Sequence, residues 1–206
     1  EQADVILSDM RGVLPLFGRH IPSIVDARQR FLKPEGVLIP QRDVIWTAVV
    51  EAPELYRRQL GGLELNEHDC DWLPVRRIVT NTWGKGRITP EQVLLPAQKL
   101  ASLDYVSRLE TDLSGKLSWS ARQCGTAHGI LVWFDAVLAH EIGFSVAPTE
   151  PEQIYGNGFF PFSEPVTISA GDTVEVMLQA DLVSDDYIWR WNTTVRQGAQ
   201  LKAAFR

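Results

Sequence analysis

The sequence predicts an α/β segment joined to a larger all-β region. Two observations carry this. In the first 40 residues, buried-type apolar runs flank one helical stripe, and after Pro40 a period of two takes over. A third feature is a stretch from 53 to about 98 that carries apolar residues without alternation. It reads as a helical insertion. The predicted class is therefore α/β + β with an inserted helical segment, divided as 1–40 and 41–206.

Each element has a local reason. Val5-Ile6-Leu7 is a short apolar strand ending in Ser8-Asp9. Ile21, Ile24, Val25, Arg28, Phe31 and Leu32 recur at helical spacing, with one long basic stem on the stripe. Gly18 precedes this helix and Pro22 suits its first turn. Lys33-Pro34-Glu35-Gly36 reads as the turn that ends it. Val37-Leu38-Ile39 is a second buried run, stopped by Pro40, and the two runs predict parallel strands buried on both faces. Beyond Pro40, strands are expected over 44–50, 129–139, 174–181 and 187–195, with turns such as Gly171-Asp172 between them, as in a β-sandwich or barrel. Pro53 opens a helix-like stretch, Glu54 to Leu60, closed by Gly61-Gly62.

Composition bounds the function. The chain has 206 residues, 45% hydrophobic and 22% charged, close to an ordinary globular protein. Its net charge of −6 argues against a sequence-independent grip on nucleic acid. No stretch approaches the ~18 apolar residues of a membrane span, so no membrane partner is expected. Two cysteines, Cys70 and Cys124, make no disulfide framework and fit a cytoplasmic location. The chain opens on Glu1 and runs at once into a strand, with no signal-peptide pattern, which suggests a sequence that begins inside a larger protein.

Bland readings win for several groups. His68-Asp69-Cys70-Asp71 lacks the second pair that a metal site needs, so no metal is expected. Cys124 and His128 have no orienting acid. The seven Trp residues default to core packing, with stacking on a carbohydrate as the rival.

Three stretches together resemble the C-terminal part of the protein arginine methyltransferase family. They are Ala27-Arg28 with Phe31 through Pro40, Gly129-Ile130-Leu131-Val132-Trp133-Phe134-Asp135, and Glu164-Pro165-Val166 leading to Gly171-Asp172-Thr173. Their order and spacing match, with an insertion where that family carries its dimerisation arm. The resemblance implies the C-terminal edge of a Rossmann-like methyltransferase domain over 1–40. An antiparallel β-barrel over 41–206 would follow, with an arm at 53–98 that pairs two copies as a homodimer. It also implies S-adenosylmethionine as cofactor. The Gly-rich loop that would approach that cofactor is absent, because Gly156-Asn157-Gly158 lies too late in the chain.

The family holds its substrate guanidinium between two glutamates on one loop. Two carboxylates make forked, charge-assisted hydrogen bonds to that planar cation. An ungapped match from the Ala27-Arg28 helix puts Asp9 at the first glutamate and Gly18 at the second. The family's Thr-His-Trp loop falls on Gln153-Ile154-Tyr155. The candidates are thus Asp9 as the catalytic carboxylate, with Arg11, Arg19, His20 and Tyr155 as substrate-binding residues. Losing one carboxylate leaves the other alone with a cation, at a cost of ~3 kcal/mol or more. The expected acceptor is therefore a neutral or anionic small molecule or protein side chain. The rival from another class is a non-catalytic dimerisation or binding module.

Overall fold

The computed structural model describes residues 2–61, 72–107 and 110–205. Strand β1 (Ala3–Leu7) leads into a loop, helix α1 (His20–Phe31) and strand β2 (Leu32–Ile39). Strand β3 (Arg42–Val50) follows, then helices α2 (Pro53–Leu60) and α3 (Leu73–Thr80) and the short strand β4 (Gly84–Gly86). The remaining strands are β5 (Val93–Asp104), β6 (Leu113–Ser120), β7 (Gly125–Ala139), β8 (Ile142–Ser145), β9 (Asn157–Ile168), β10 (Asp172–Val183), β11 (Asp186–Gln197) and β12 (Gln200–Phe205).

β1 and β2 pair in parallel, as their apolar runs predict. Two details differ. The turn expected at Lys33–Gly36 is instead a bulge inside β2, since Ala3 faces Leu32 while Val5 faces Val37. Burial on both faces does not hold in this chain, where Val5 and Leu7 are 53% and 73% exposed.

The all-β region is two antiparallel sheets. One runs β12-β11-β10-β6, and the other runs β4-β9-β7-β3-β5 with β8 paired to β7. Alternation along the strands gives each sheet an inner face. Val174, Val176, Leu178 and Ala180 supply it from β10, and Ile130, Val132 and Phe134 from β7. Phe160 of β9 meets Trp189 and Trp191 of β11 at 5.2 and 5.1 Å between ring centroids, which locks the sheets together. The expected antiparallel β-barrel is met only as these two sheets, with no closed barrel among the described residues. Among the described residues no backbone ladder joins β5 to β6, and Gln98 bridges that seam with a side-chain hydrogen bond to the Ser118 carbonyl.

α2 starts at Pro53 and stops at Gly61, which adopts φ +60° as a left-handed C-cap. Leu55, Tyr56 and Leu60 are its buried face. α3 differs: Leu73, Val75 and Ile78 are 66%, 38% and 69% exposed. The segment 53–98 is therefore helical only in its first part, and β5 claims it from Val93. Trp119, Trp133 and Trp189 are buried and the other four Trp residues half-buried, in line with core packing.

Candidate functional site

The candidate site forms where the loop 8–19 crosses one end of the two sheets. The Ser8 amide donates to the Ile39 carbonyl, so the loop leaves the parallel pair at a fixed point. Leu14 and Leu16 then bury themselves at 1% and 2% exposure, anchoring the middle of the loop. Gly18 turns the chain at φ +46°, and Arg19 pairs with Asp185 at 3.1 Å on the surface. α1 is tied down further along, where the Arg28 guanidinium donates to the Tyr105 carbonyl. That is the role of the basic stem on its apolar stripe.

Tyr155 approaches from the other side. Its loop is held by Gln153, which donates to the Ser145 carbonyl, and by Asn157, which donates to the Val146 carbonyl. Gly156, at φ +72°, makes the turn between them. The Tyr155 hydroxyl donates to both Asp9 carboxylate oxygens at 2.8 Å. Burial, and then the Asp9 contact, push its phenol above the usual range. Asp9 itself is exposed.

Beneath this pair lies a buried charge cluster. Arg11 Nε sits 3.3 Å from Asp43 Oδ2, with side chains 2% and 0% exposed. The Tyr105 hydroxyl donates to the same Asp43 oxygen at 2.7 Å. Burial raises the Asp43 carboxyl to about 6, against the opposing pull of Arg11. His20 lies fully buried against the Tyr105 ring, edge to face at 5.4 Å. Burial, and then the nearby Arg11 charge, lower His20 to about 4, so its imidazole is neutral at neutral pH.

The five sequence candidates thus separate. Asp9, Arg11 and Tyr155 share one neighbourhood. His20 lies behind it in the core, and Arg19 points away to Asp185. Arg11 and Arg19 each face an aspartate, Asp43 at 3.3 Å and Asp185 at 3.1 Å. Asp43, Tyr105, Phe134 and Phe144 complete the cluster, and none is a sequence candidate, although Phe134 lies in the Gly129–Asp135 stretch that carries the family resemblance. The one available signal is Asp43, a charged residue on the inward face of β3 in register with Ala136. Gly18, which the family resemblance sets at the second carboxylate, has the Asp185 carbonyl beside it, 3.8 Å from where a Cβ would lie. His68-Asp69-Cys70-Asp71 lies outside the described residues, and among those described no cluster of three or more metal-type ligands occurs. No helix among them is long and apolar enough to cross a membrane.

The pattern of the arginine methyltransferase oligomerization subdomain matches residues 65–194. The chain belongs to the arginine methyltransferase family. Protein arginine N-methyltransferase 2 of Homo sapiens is 28% identical over 96% of this chain and 50% of its own length. An arginine N(omega)-methyltransferase of Streptomyces achromogenes is 25% identical over 77% of this chain and 44% of its own length. The chain spans about half the length of the curated relatives it matches. Arabidopsis thaliana protein arginine methyltransferase 10 shares the fold with a TM-score of 0.81 at 20% identity, covering 100% of this chain and 69% of that one. The Trypanosoma brucei PRMT1 enzyme–prozyme heterotetrameric complex with AdoHcy does so at 0.80 and 14% identity, covering 99% and 68%.

In the strand–loop–helix unit β1–α1, the turn that would approach S-adenosylmethionine is not open at Gly12, where a Cβ would lie 2.6 Å from the Phe17 ring. A nucleotide-binding turn needs open glycines and bare amides at the helix start.

Proposed function

We propose that this chain is the C-terminal region of an S-adenosylmethionine-dependent methyltransferase whose acceptor is not a peptidyl arginine. The cofactor would be held by sequence equivalent to the part of the relatives that this chain does not cover. What supports the acceptor reading is Asp9, an exposed carboxylate held by the Tyr155 hydroxyl, together with the family resemblance that sets Gly18 at the second carboxylate. One carboxylate stands where the family's clamp has two, and it already accepts the single proton of the Tyr155 hydroxyl. A lone exposed carboxylate held by a hydroxyl can orient a neutral O–H or N–H acceptor and accept its proton. It cannot supply the two-sided fork that fixes a guanidinium.

In this reading Asp9 contacts the acceptor and Tyr155 sets its orientation. Arg11 and His20 act from behind, through Asp43 and Tyr105, and Arg19 fixes the loop to the β10–β11 turn. The segment 53–98 pairs two copies of the chain, which the match to an oligomerization subdomain supports.

A second reading has one observation in its favour. Gly18 retains no chemistry at all, as expected if the scaffold serves only for assembly. Titrating the polypeptide as encoded with S-adenosylmethionine and with S-adenosylhomocysteine separates the two. Micromolar binding is the outcome expected of the enzyme. No detectable binding would leave the assembly module as the reading.

A further inference from the structure

Three aromatic rings enclose the Arg11 guanidinium. Its Cζ lies 5.6 Å from the Phe134 and Phe144 centroids and 5.9 Å from that of Tyr155. The rings also pack on one another. Phe144 and Tyr155 stack at 5.6 Å, and Phe134 meets them edgewise at 5.9 and 5.4 Å. Together they form a box, with Asp43 as its charged wall.

We propose that this box is a guanidinium-binding site that the chain fills with its own Arg11, and that this occupancy keeps cationic acceptors away from the Asp9–Tyr155 pair.

The way Arg11 is held supports this. Its Nε and Nη1 atoms are buried and make no hydrogen bond. An arginine built into a core for hydrogen bonding would use its fork of five donors. Here the cation is gripped by ring faces and one carboxylate at 3.3 Å, contacts that any alkylguanidinium would make as well. The loop is shaped to deliver it. A Cβ at the neighbouring Gly12 would lie 2.6 Å from the Phe17 ring, so a bare backbone is needed directly after Arg11. The box also shares a wall with the candidate site, because the Tyr155 ring lines it while the Tyr155 hydroxyl holds Asp9. A second cation reaching for Asp9 would meet the positive charge of Arg11 behind that ring.

The exclusion half of this inference rests on the acceptor reading above, whereas the binding half is tested without it. Arg11→Ala in the polypeptide as encoded deletes an ethylguanidinium group. Calorimetric titration of that variant with ethylguanidinium should show binding at least tenfold tighter than to the wild type, and at least tenfold tighter than N-ethylurea, a neutral probe of the same shape. Equal binding by variant and wild type would overturn the proposal. Equal binding of the urea would also overturn it, since the cavity would then select shape and not charge. If Arg11→Ala does not hold its fold, Arg11→Ala combined with Asp43→Asn removes both buried charges. A gain of at least threefold over the wild type is then expected from the rings alone, and no gain overturns the proposal. Methyl transfer to an arginine peptide by the wild type would defeat the acceptor reading while leaving the ethylguanidinium result to stand or fall alone.

Discussion

Tyr155 donates its hydroxyl to both carboxylate oxygens of Asp9, joining residues 146 apart in sequence at 2.8 Å. The contact ties the end of the parallel strand pair to the loop before β9. Because Asp9 is exposed, its main effect is to aim the carboxylate, with little added stability.

Tyr155→Phe keeps the ring that walls the Arg11 box and removes only the hydroxyl. Its unfolding free energy in urea should fall by no more than ~1 kcal/mol, the usual scale for one such hydrogen bond. Turnover of whatever acceptor the enzyme accepts should fall about tenfold or more, because an untethered carboxylate loses orientation. A large loss of stability with unchanged turnover would assign Tyr155 to the framework instead.

Asp43→Ala leaves the Arg11 cation buried and alone. The expected cost is about 3–5 kcal/mol, the range for breaking one partner of a buried pair. Replacing both partners, as Arg11→Met with Asp43→Ala, should recover most of that loss. Chemical denaturation of the single and double variants checks the cycle.

Acidification acts on two groups here with opposite signs. Burial lowers His20 from 6.5 to about 4, so the unfolded chain binds a proton that the folded chain refuses. That contribution to stability is lost as pH falls from about 6.5 to about 4. Burial raises Asp43 from 3.8 to about 6, so the folded chain binds a proton that the unfolded one lacks. That contribution is gained as pH falls from about 6 to about 4, and the two slopes oppose each other. His20→Gln removes the first alone. Relative to the wild type, its stability should rise as pH falls through this window, by up to ~1.4 kcal/mol per pH unit. Denaturant midpoints from pH 6.5 to 4 measure it, and parallel curves for the two proteins would contradict it.

Val75 and Ile78 sit three residues apart on one face of α3, 38% and 69% exposed. If the segment 53–98 pairs two copies, Val75→Glu with Ile78→Glu should shift the protein to a monomer in analytical ultracentrifugation. Its thermal transition should stay cooperative. An unchanged oligomer would move the interface elsewhere.

The sequence makes strands β3, β7, β10 and β11 legible because alternation exposes their inner faces. Gly61 marks the end of α2 for the same local reason. The exposed faces of Val5 and Leu7 are not legible, because an apolar run reads as buried whatever stands beside it. The missing closure at β5 and β6 depends on a seam between distant strands, which no local period records. At the site, Asp9 and Tyr155 follow from aligned motifs, and the structure brings them into contact. The burial of Arg11 was out of reach. A basic residue in a polar loop defaults to solvent, and its partner Asp43 and the rings of Phe134 and Phe144 arrive from three other strands. The same holds for His20, whose imidazole is neutralised by a core assembled around Tyr105.

The most direct test offers the polypeptide as encoded an Arg-Gly-rich peptide together with S-adenosylmethionine and measures methyl transfer to arginine. No transfer above background is expected, because Asp9 is the one carboxylate of the proposed clamp and the nearby cation site already holds Arg11. Transfer to the peptide that disappears in Asp9→Ala would contradict it.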